Sequence, residues 1–314
     1  MKLSYLVNQY ISFRKAMGER CSSEHVLHSF CRRIGEDADI DSVSEESVRA
    51  FLAGAGPLSR TWHVKHRALR SFYRYALTRG YVESVPLPTA VPKEPPGLVP
   101  YIYSHEELRR LLDAASSRQS SVHVIEPFTI RTIILLLYGA GLRVGEALAL
   151  NLSDVDLSGA MLTVRLSKFF KSRLVPLGTQ LTQALAAYAN WRQSSHSPTG
   201  SGSPFFIGRT GNRIIYITLE GTFKRLRAHA GIHRTDGGRY QPRMHDLRHT
   251  FAVHRLITWY HQGVEVQQLL PHLSIYLGHI HLAATQVYLT MTPELLQEAN
   301  ACFERYAGKE VSDE

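Results

Sequence analysis

At 314 residues the chain has room for two compact domains and a sizeable core. Its 36 lysines and arginines against 27 acidic residues leave a formal charge of +9, which favours a polyanionic partner, although ordinary solubility also accounts for such a balance. Three scattered cysteines, Cys21, Cys31 and Cys302, argue against a disulfide scaffold or a zinc ribbon and fit a reducing interior.

In chain order, the opening stretch MKLSYLVNQYISFRKAMGER is broken by Asn, Gln, Arg and Lys, so it reads as neither a signal peptide nor a membrane span. The longest apolar run, Ile133 to Tyr138, is too short to cross a bilayer, and a soluble, cytoplasmic protein is expected. Apolar residues then recur at spacings of three and four, as in Leu6, Tyr10 and Phe13, then Val26, Phe30 and Ile34. Residues 1–90 therefore read as a small helical domain of four or five helices. Its last helical stretch, Arg60 to Arg79, carries six lysines and arginines and no acid. Arg67, Arg70 and Arg74 repeat at helical spacing opposite Leu69, Phe72, Tyr73, Ala76 and Leu77, so one face can pack while the other meets phosphates. A solvated basic face is the plainer reading of the same residues.

Six prolines between Pro86 and Pro100 forbid a continuing helix or central strand, and residues 91–103 read as a linker. Beyond it, Ser104-His105-Glu106-Glu107 has the form of a helix start with Ser at the N-cap and Glu at N3. Met161 to Leu166 alternates as a strand, and Arg173-Leu174-Val175-Pro176-Leu177 can pair with it as a hairpin. Stretches 179–193, 219–230 and from 245 onward read as helix. Thr292-Pro293-Glu294 opens a last helix over 293–308, ended by Gly308, with Leu295, Leu296, Ala299, Phe303 and Tyr306 as an apolar stripe. The expected fold is mainly α: a helical N-terminal domain, then an α-rich domain over 104–314 with a small antiparallel β-sheet.

The chemistry-bearing residues cluster late. Met244-His245-Asp246-Leu247-Arg248-His249 precedes Leu277-Gly278-His279 and Tyr288, and Gly141-Leu142-Arg143-Val144-Gly145-Glu146 offers an earlier arginine on a tight turn. His245 and Arg248 are three apart and share a helix face. Guanidinium groups stay charged and present paired donors to the two non-bridging oxygens of a phosphodiester. A phenol is a poor nucleophile near its ordinary pKa of about 10 and needs positioning and a proton acceptor. Such a set suits holding a phosphodiester while a tyrosine attacks it.

The order Arg143, Lys168, His245-x-x-Arg248, Leu-Gly-His279 and Tyr288, with the HxLRH, LGH and TQVY elements, resembles the tyrosine recombinase (phage integrase) family over about 103–292. The resemblance implies a site-specific DNA recombinase in which Tyr288 attacks and leaves a 3′-phosphotyrosyl link and a free 5′-hydroxyl. It implies Arg143 and Arg248 on the phosphate oxygens, His245 as general base or phosphate donor, His279 as a second donor, and Glu146 in support. The N-terminal domain becomes a core-binding domain whose Arg67, Arg70 and Arg74 meet DNA. The family's leaving-group lysine usually sits in a glycine-lysine-glycine turn. Here Ser167-Lys168-Phe169-Phe170-Lys171 stands instead, which places Lys168 on that position by counting back from Arg173 and keeps Lys171 as an alternative. His249 reads as helix packing. No metal and no cofactor are implied. The partners implied are double-stranded DNA and three further copies, as a homo-tetramer on two DNA sites formed from solution monomers, with the terminal helix docking into a neighbour. Accessory directionality factors or partner recombinases fit the same picture. The type of mobile element and the target sequence are not legible.

Four other readings compete. Ile133 to Gly141 followed by Gly145 could be a strand and dinucleotide-binding turn, but no alternating strand-helix series follows. A metal enzyme could use His245, His249 and His254, or Asp154 with Asp156, yet neither set has a metal-site spacing. A type IB topoisomerase shares the phosphotyrosine chemistry, and a non-catalytic site-specific DNA-binding protein shares the surface.

Overall fold

The computed structural model describes residues 1–19, 21, 23–54, 58–95, 98–117, 125–165, 172–194, 198–238, 240–291, 293, 295–298, 300 and 301. They form two compact units, Met1–Gly97 and Leu98–Glu314.

The first unit packs four helices among its described residues: α1 (Leu3–Ala16), α2 (Glu24–Ile34), α3 (Glu45–Ala53) and α4 (Arg60–Thr78). Leu6, Tyr10, Leu27, Phe30, Phe51, Leu69, Phe72 and Tyr73 fill its core. On α4 the apolar side is buried as the periodicity requires, and Arg67, Arg70 and Arg74 are exposed on the other. Two residues assigned to apolar faces are not buried. Leu77 is exposed near the end of α4, and Phe13 is exposed on α1, where the Arg79 guanidinium lies 5.1 Å from its ring centre. The unit extends past residue 90 because Glu94 ties the chain back, pairing with Arg60 at 3.1 Å and Arg67 at 3.5 Å. Arg67 is therefore partly neutralised in its own unit.

The second unit begins where Ser104 and Glu107 exchange side-chain acceptors for each other's backbone N–H, a capping box that starts α5 (His105–Ser116). Then come α6 (Pro127–Gly139), α7 (Val144–Ala149), a three-stranded sheet, α8 (Thr179–Ser194), α9 (Tyr216–His229), α10 (Met244–His261), α11 (Val266–Leu277) and the short α12 (Ala283–Gln286). The sheet is antiparallel in the order β1 (Val155–Asp156), β2 (Met161–Val164), β3 (Arg173–Pro176), with Leu162 opposite Val175 and Val164 opposite Arg173. Leu162 and Val164 alternate inward as the pattern demands.

Ile133 to Tyr138 lies inside α6, so the dinucleotide reading fails at its first requirement, a strand. Helix α6 starts six residues earlier, with proline in its first turn, and is buried on most of its circumference (Ile130, Ile133, Ile134, Leu136, Leu137). It is the central post of this unit. Of the terminal helix, residues 293, 295–298, 300 and 301 are helical. Leu295 is buried with Leu256, Leu273 and Leu277 of α10 and α11, and Glu298 meets His261 at 2.9 Å, while Leu296 is exposed. These turns fold back onto their own unit. Thr292, Glu294, Ala299, Phe303, Tyr306 and Gly308 lie outside the described residues.

Candidate active site

The site is assembled around the turn that joins α11 to α12. Gly278 ends α11 in the left-handed region (φ +67°), which only glycine adopts cheaply, and this turns the carbonyls of Leu277 and Gly278 inward. Arg248 donates to the Leu277 carbonyl at 2.6 Å and to the Gly141 carbonyl at 2.7 Å. Arg143 donates to the Gly278 carbonyl at 3.0 Å. Two guanidinium groups are thus hung on successive carbonyls of one turn.

Arg143 occupies the N-cap of α7, two residues after Gly141 (φ +57°), where a Cβ would stand 2.5 Å from the Phe251 ring. Its side chain is 31% exposed, open enough to meet a ligand, whereas Arg248 is only 2% exposed. Burial, with Arg143 close by, lowers the Arg248 pKa to about 10, which still leaves it charged at neutral pH.

His245 and Arg248 lie on one face of α10 near its N-terminus, where the helix dipole favours an anion. His245 is exposed, yet crowding by protein and by Arg248 lowers its pKa. His279 follows Gly278, and its Nδ1 lies 2.7 Å from Thr285 Oγ1. Burial and the two arginines bring its pKa down to about 4, so it is neutral at physiological pH. Tyr288 sits on the turn Val287–Thr290 and is 2% exposed. Burial raises its pKa, opposed by the positive charges of Arg248 and, more weakly, Arg143. Its ring stacks on His279 at 6.0 Å between ring centres and leans on His249 at 5.6 Å.

Five of the six residues singled out in the sequence therefore come together: Arg143, His245, Arg248, His279 and Tyr288. Lys168 and its alternative Lys171 lie outside the described residues. Glu146 is central. Its Oε1 accepts from Arg143 Nη1 at 2.7 Å, and its Oε2 from the Arg143 backbone N–H at 2.9 Å. Burial alone would raise its carboxyl, but Arg173 and Arg143 together hold it down to about 2.

Three residues are closer to the chemistry than the sequence indicated. His249 is wedged between His245 (4.8 Å) and Tyr288, and its buried Nδ1 has no hydrogen-bond partner among the described residues. Thr285 is fully buried against His279. Arg173 pairs with Glu146 at 2.8 Å. A charged residue in a short apolar strand was the available signal for Arg173, whereas nothing local marks Thr285. The alternative metal residues are occupied elsewhere. His254 meets the Tyr138 hydroxyl at 3.0 Å and stacks on His105, and Asp154 accepts from the Asn151 backbone and pairs with Arg165.

A mainly helical unit that suspends two arginines beside a buried phenol defines the class of enzymes that transfer phosphodiester bonds through tyrosine. The family model described as "Phage integrase family" matches residues 102–294. The chain is 36% identical to the "Putative integrase/recombinase y4rB" of Sinorhizobium fredii over 95% of its own length and 96% of that protein's. It is 30% identical to the "Tyrosine recombinase XerC" of Chlorobaculum parvum, covering 84% of this chain and 79% of the other. In fold it is similar to the Tn1549 transposon integrase in complex with transposon right end DNA (TM-score 0.69, 17% identity, 98% and 100% of the two chains). It is likewise similar to a lambda integrase dimer bound to a core site (TM-score 0.63, 18% identity, 90% and 96%). The chain belongs to the phage integrase family and is a tyrosine recombinase.

Proposed function

We propose that the protein is a site-specific recombinase that cuts and rejoins double-stranded DNA with Tyr288 as nucleophile, moving a mobile element by integration, excision or transposition. The observation that carries this reading is the buried Tyr288 ring stacked on His279, the residue after the turn whose successive carbonyls hold the Arg248 and Arg143 guanidinium groups of the same chain. Arg143 and Arg248 take the two non-bridging oxygens as negative charge gathers on them, in a partly dry site where such contacts are strong. The phenolic proton goes to neutral His245, and the phosphorus–oxygen bond to the 5′-oxygen breaks as the 3′-phosphotyrosine forms. With Thr285 donating to Nδ1, His279 carries its proton on Nε2 and serves as a further donor to the phosphoryl group. The departing 5′-oxygen takes its proton from Lys168, or from Lys171. The bond energy kept in the phosphotyrosine lets a second 5′-hydroxyl displace it without ATP, metal or cofactor.

The exposed Arg67, Arg70 and Arg74 contact DNA phosphates. Four protomers assemble across two DNA sites from monomers in solution. The names of the recombinase relatives disfavour a topoisomerase, and the filled site disfavours a non-catalytic binder. None of the described helices is long and apolar enough to cross a membrane, and the cytoplasm, where DNA is accessible, is the proposed location. The test is a suicide substrate nicked near the scissile phosphate. Native protein should form a covalent adduct whether or not EDTA is present, and Tyr288→Phe should form none. An adduct that survives this substitution, or that EDTA abolishes, rejects the reading.

A further inference from the structure

Glu146 presents a carboxylate shared by two arginines. Besides Arg143, Arg173 of β3 grips it with two parallel bonds, Nη1 to Oε1 at 2.9 Å and Nη2 to Oε2 at 2.8 Å. With the two bonds from Arg143, all four acceptor positions of the carboxylate are filled. The Arg173 Nε donates to the Tyr276 carbonyl at 3.0 Å, two residues before Gly278. A Cβ on Gly278 would stand 2.8 Å from Arg173 Nη1, so the guanidinium lies directly against the turn that holds Arg143 and Arg248. The side chain is 11% exposed and three of its nitrogens are committed to protein, which leaves it no open face toward substrate. It touches both supports of Arg143, the carboxylate below and the Gly278 turn beside.

Charge gives this contact a purpose. Arg143 and Glu146 alone would form a neutral pair, and the carboxylate would draw the guanidinium onto itself and cancel the field a phosphate needs. Arg173 supplies a second positive charge, so the trio carries a net +1 and Arg143 stays available. We infer that Arg173 is a positioning residue for strand cleavage: it neutralises Glu146 and braces the Gly278 turn so that the Arg143 guanidinium faces the scissile phosphate. Arg173 does not contact the substrate. It ties three segments distant in the chain, the hairpin strand, the first turn of α7 and the end of α11 with its Gly278 turn, into one block. This inference rests on the site reading above.

The experiment measures single-turnover adduct formation on the nicked substrate, with DNA affinity and melting temperature recorded for each variant. Arg173→Gln should slow cleavage about 10–100-fold, somewhat less than the ~10²–10³ that loss of a direct donor costs, with DNA affinity within about threefold because most affinity comes from other phosphates. Arg173→Lys keeps the charge but not the fork and should fall between Gln and native. The double variant Arg173→Gln/Glu146→Gln restores the +1 and should cleave faster than Arg173→Gln alone. A strut that merely packs predicts the reverse, further loss in the double variant and no benefit from lysine. That pattern, or native cleavage by a folded Arg173→Gln, overturns the inference. Native protein that forms no adduct, or Tyr288→Phe that does, overturns the underlying site instead.

Discussion

Thr285 shows how one hydroxyl can set the chemistry of a neighbour. A neutral imidazole has one donor and one acceptor nitrogen, and its partner decides which is which. Thr285 is buried and 2.7 Å from His279 Nδ1; in the proposed site its O–H donates, which leaves the proton of His279 on Nε2, the nitrogen free to reach a phosphate. Thr285→Val, equal in shape but without the donor, should cut the single-turnover cleavage rate about 10-fold, less than the ~10²–10⁴ of a whole general acid–base contribution because only the orientation of His279 is lost, and Thr285→Ser should retain most of it. Native-like rates for the valine variant would remove Thr285 from the site. At this scale the sequence was informative where motif and chemistry coincide, as for Arg143, Arg248 and Tyr288. It marked Arg173 only as a charge in a short apolar strand and was silent on Thr285, because their contacts join residues 27 apart for Arg173–Glu146 and six apart for His279–Thr285. His249 read as packing because a single sequence does not say which face of α10 meets Tyr288.

Among the elements, the turn between α6 and α7 and the first turn of α7 each contain a glycine, and the two have different reasons to exist. Gly141 has a positive φ and no room, since an added methyl would stand 2.5 Å from Phe251 and 3.0 Å from Leu277. Gly145 meets nothing within 4 Å. Gly141→Ala should cost about 2–4 kcal/mol, from left-handed strain and overpacking, and lower the melting temperature of the second unit by roughly 5–15 °C. Gly145→Ala lies in a helix and should be neutral or slightly stabilising, by at most about 1 kcal/mol. Calorimetry of the two variants separates them, and equal melting points would refute the steric account. The hairpin was legible because its strands alternate, and α5 because its cap is local. Helix α6 was ambiguous because a short apolar run fits a buried strand as well as a buried helix. The two-residue strand β1 has no pattern to detect.

For the whole molecule, the proline-rich stretch located the division of the chain but not its edge, since Glu94 binds Arg60 and Arg67 and draws residues past 90 into the first unit. The basic face of α4 was legible from helical spacing, while its partial neutralisation by a distant glutamate was not. That difference is measurable. Alanine at Arg70 or Arg74 should each reduce the slope of log affinity against log salt by about 1, the signature of one lost phosphate contact. Arg67→Ala should reduce it by less, because Glu94 already competes for that charge. Equal slopes for all three variants and the native protein would mean that α4 does not face DNA.

The turn bearing Tyr288 is secured on both flanks, by buried Thr285 three residues before it and by buried Leu295 seven after it. Three residues of fully stretched chain span roughly 10 Å, so the phenol is on a short leash while Thr285 stays in place. A leash of that length keeps the proposed nucleophile with the guanidinium groups of its own polypeptide. Each subunit would then sever only the strand it grips, and a copy without its tyrosine could not borrow one from next door.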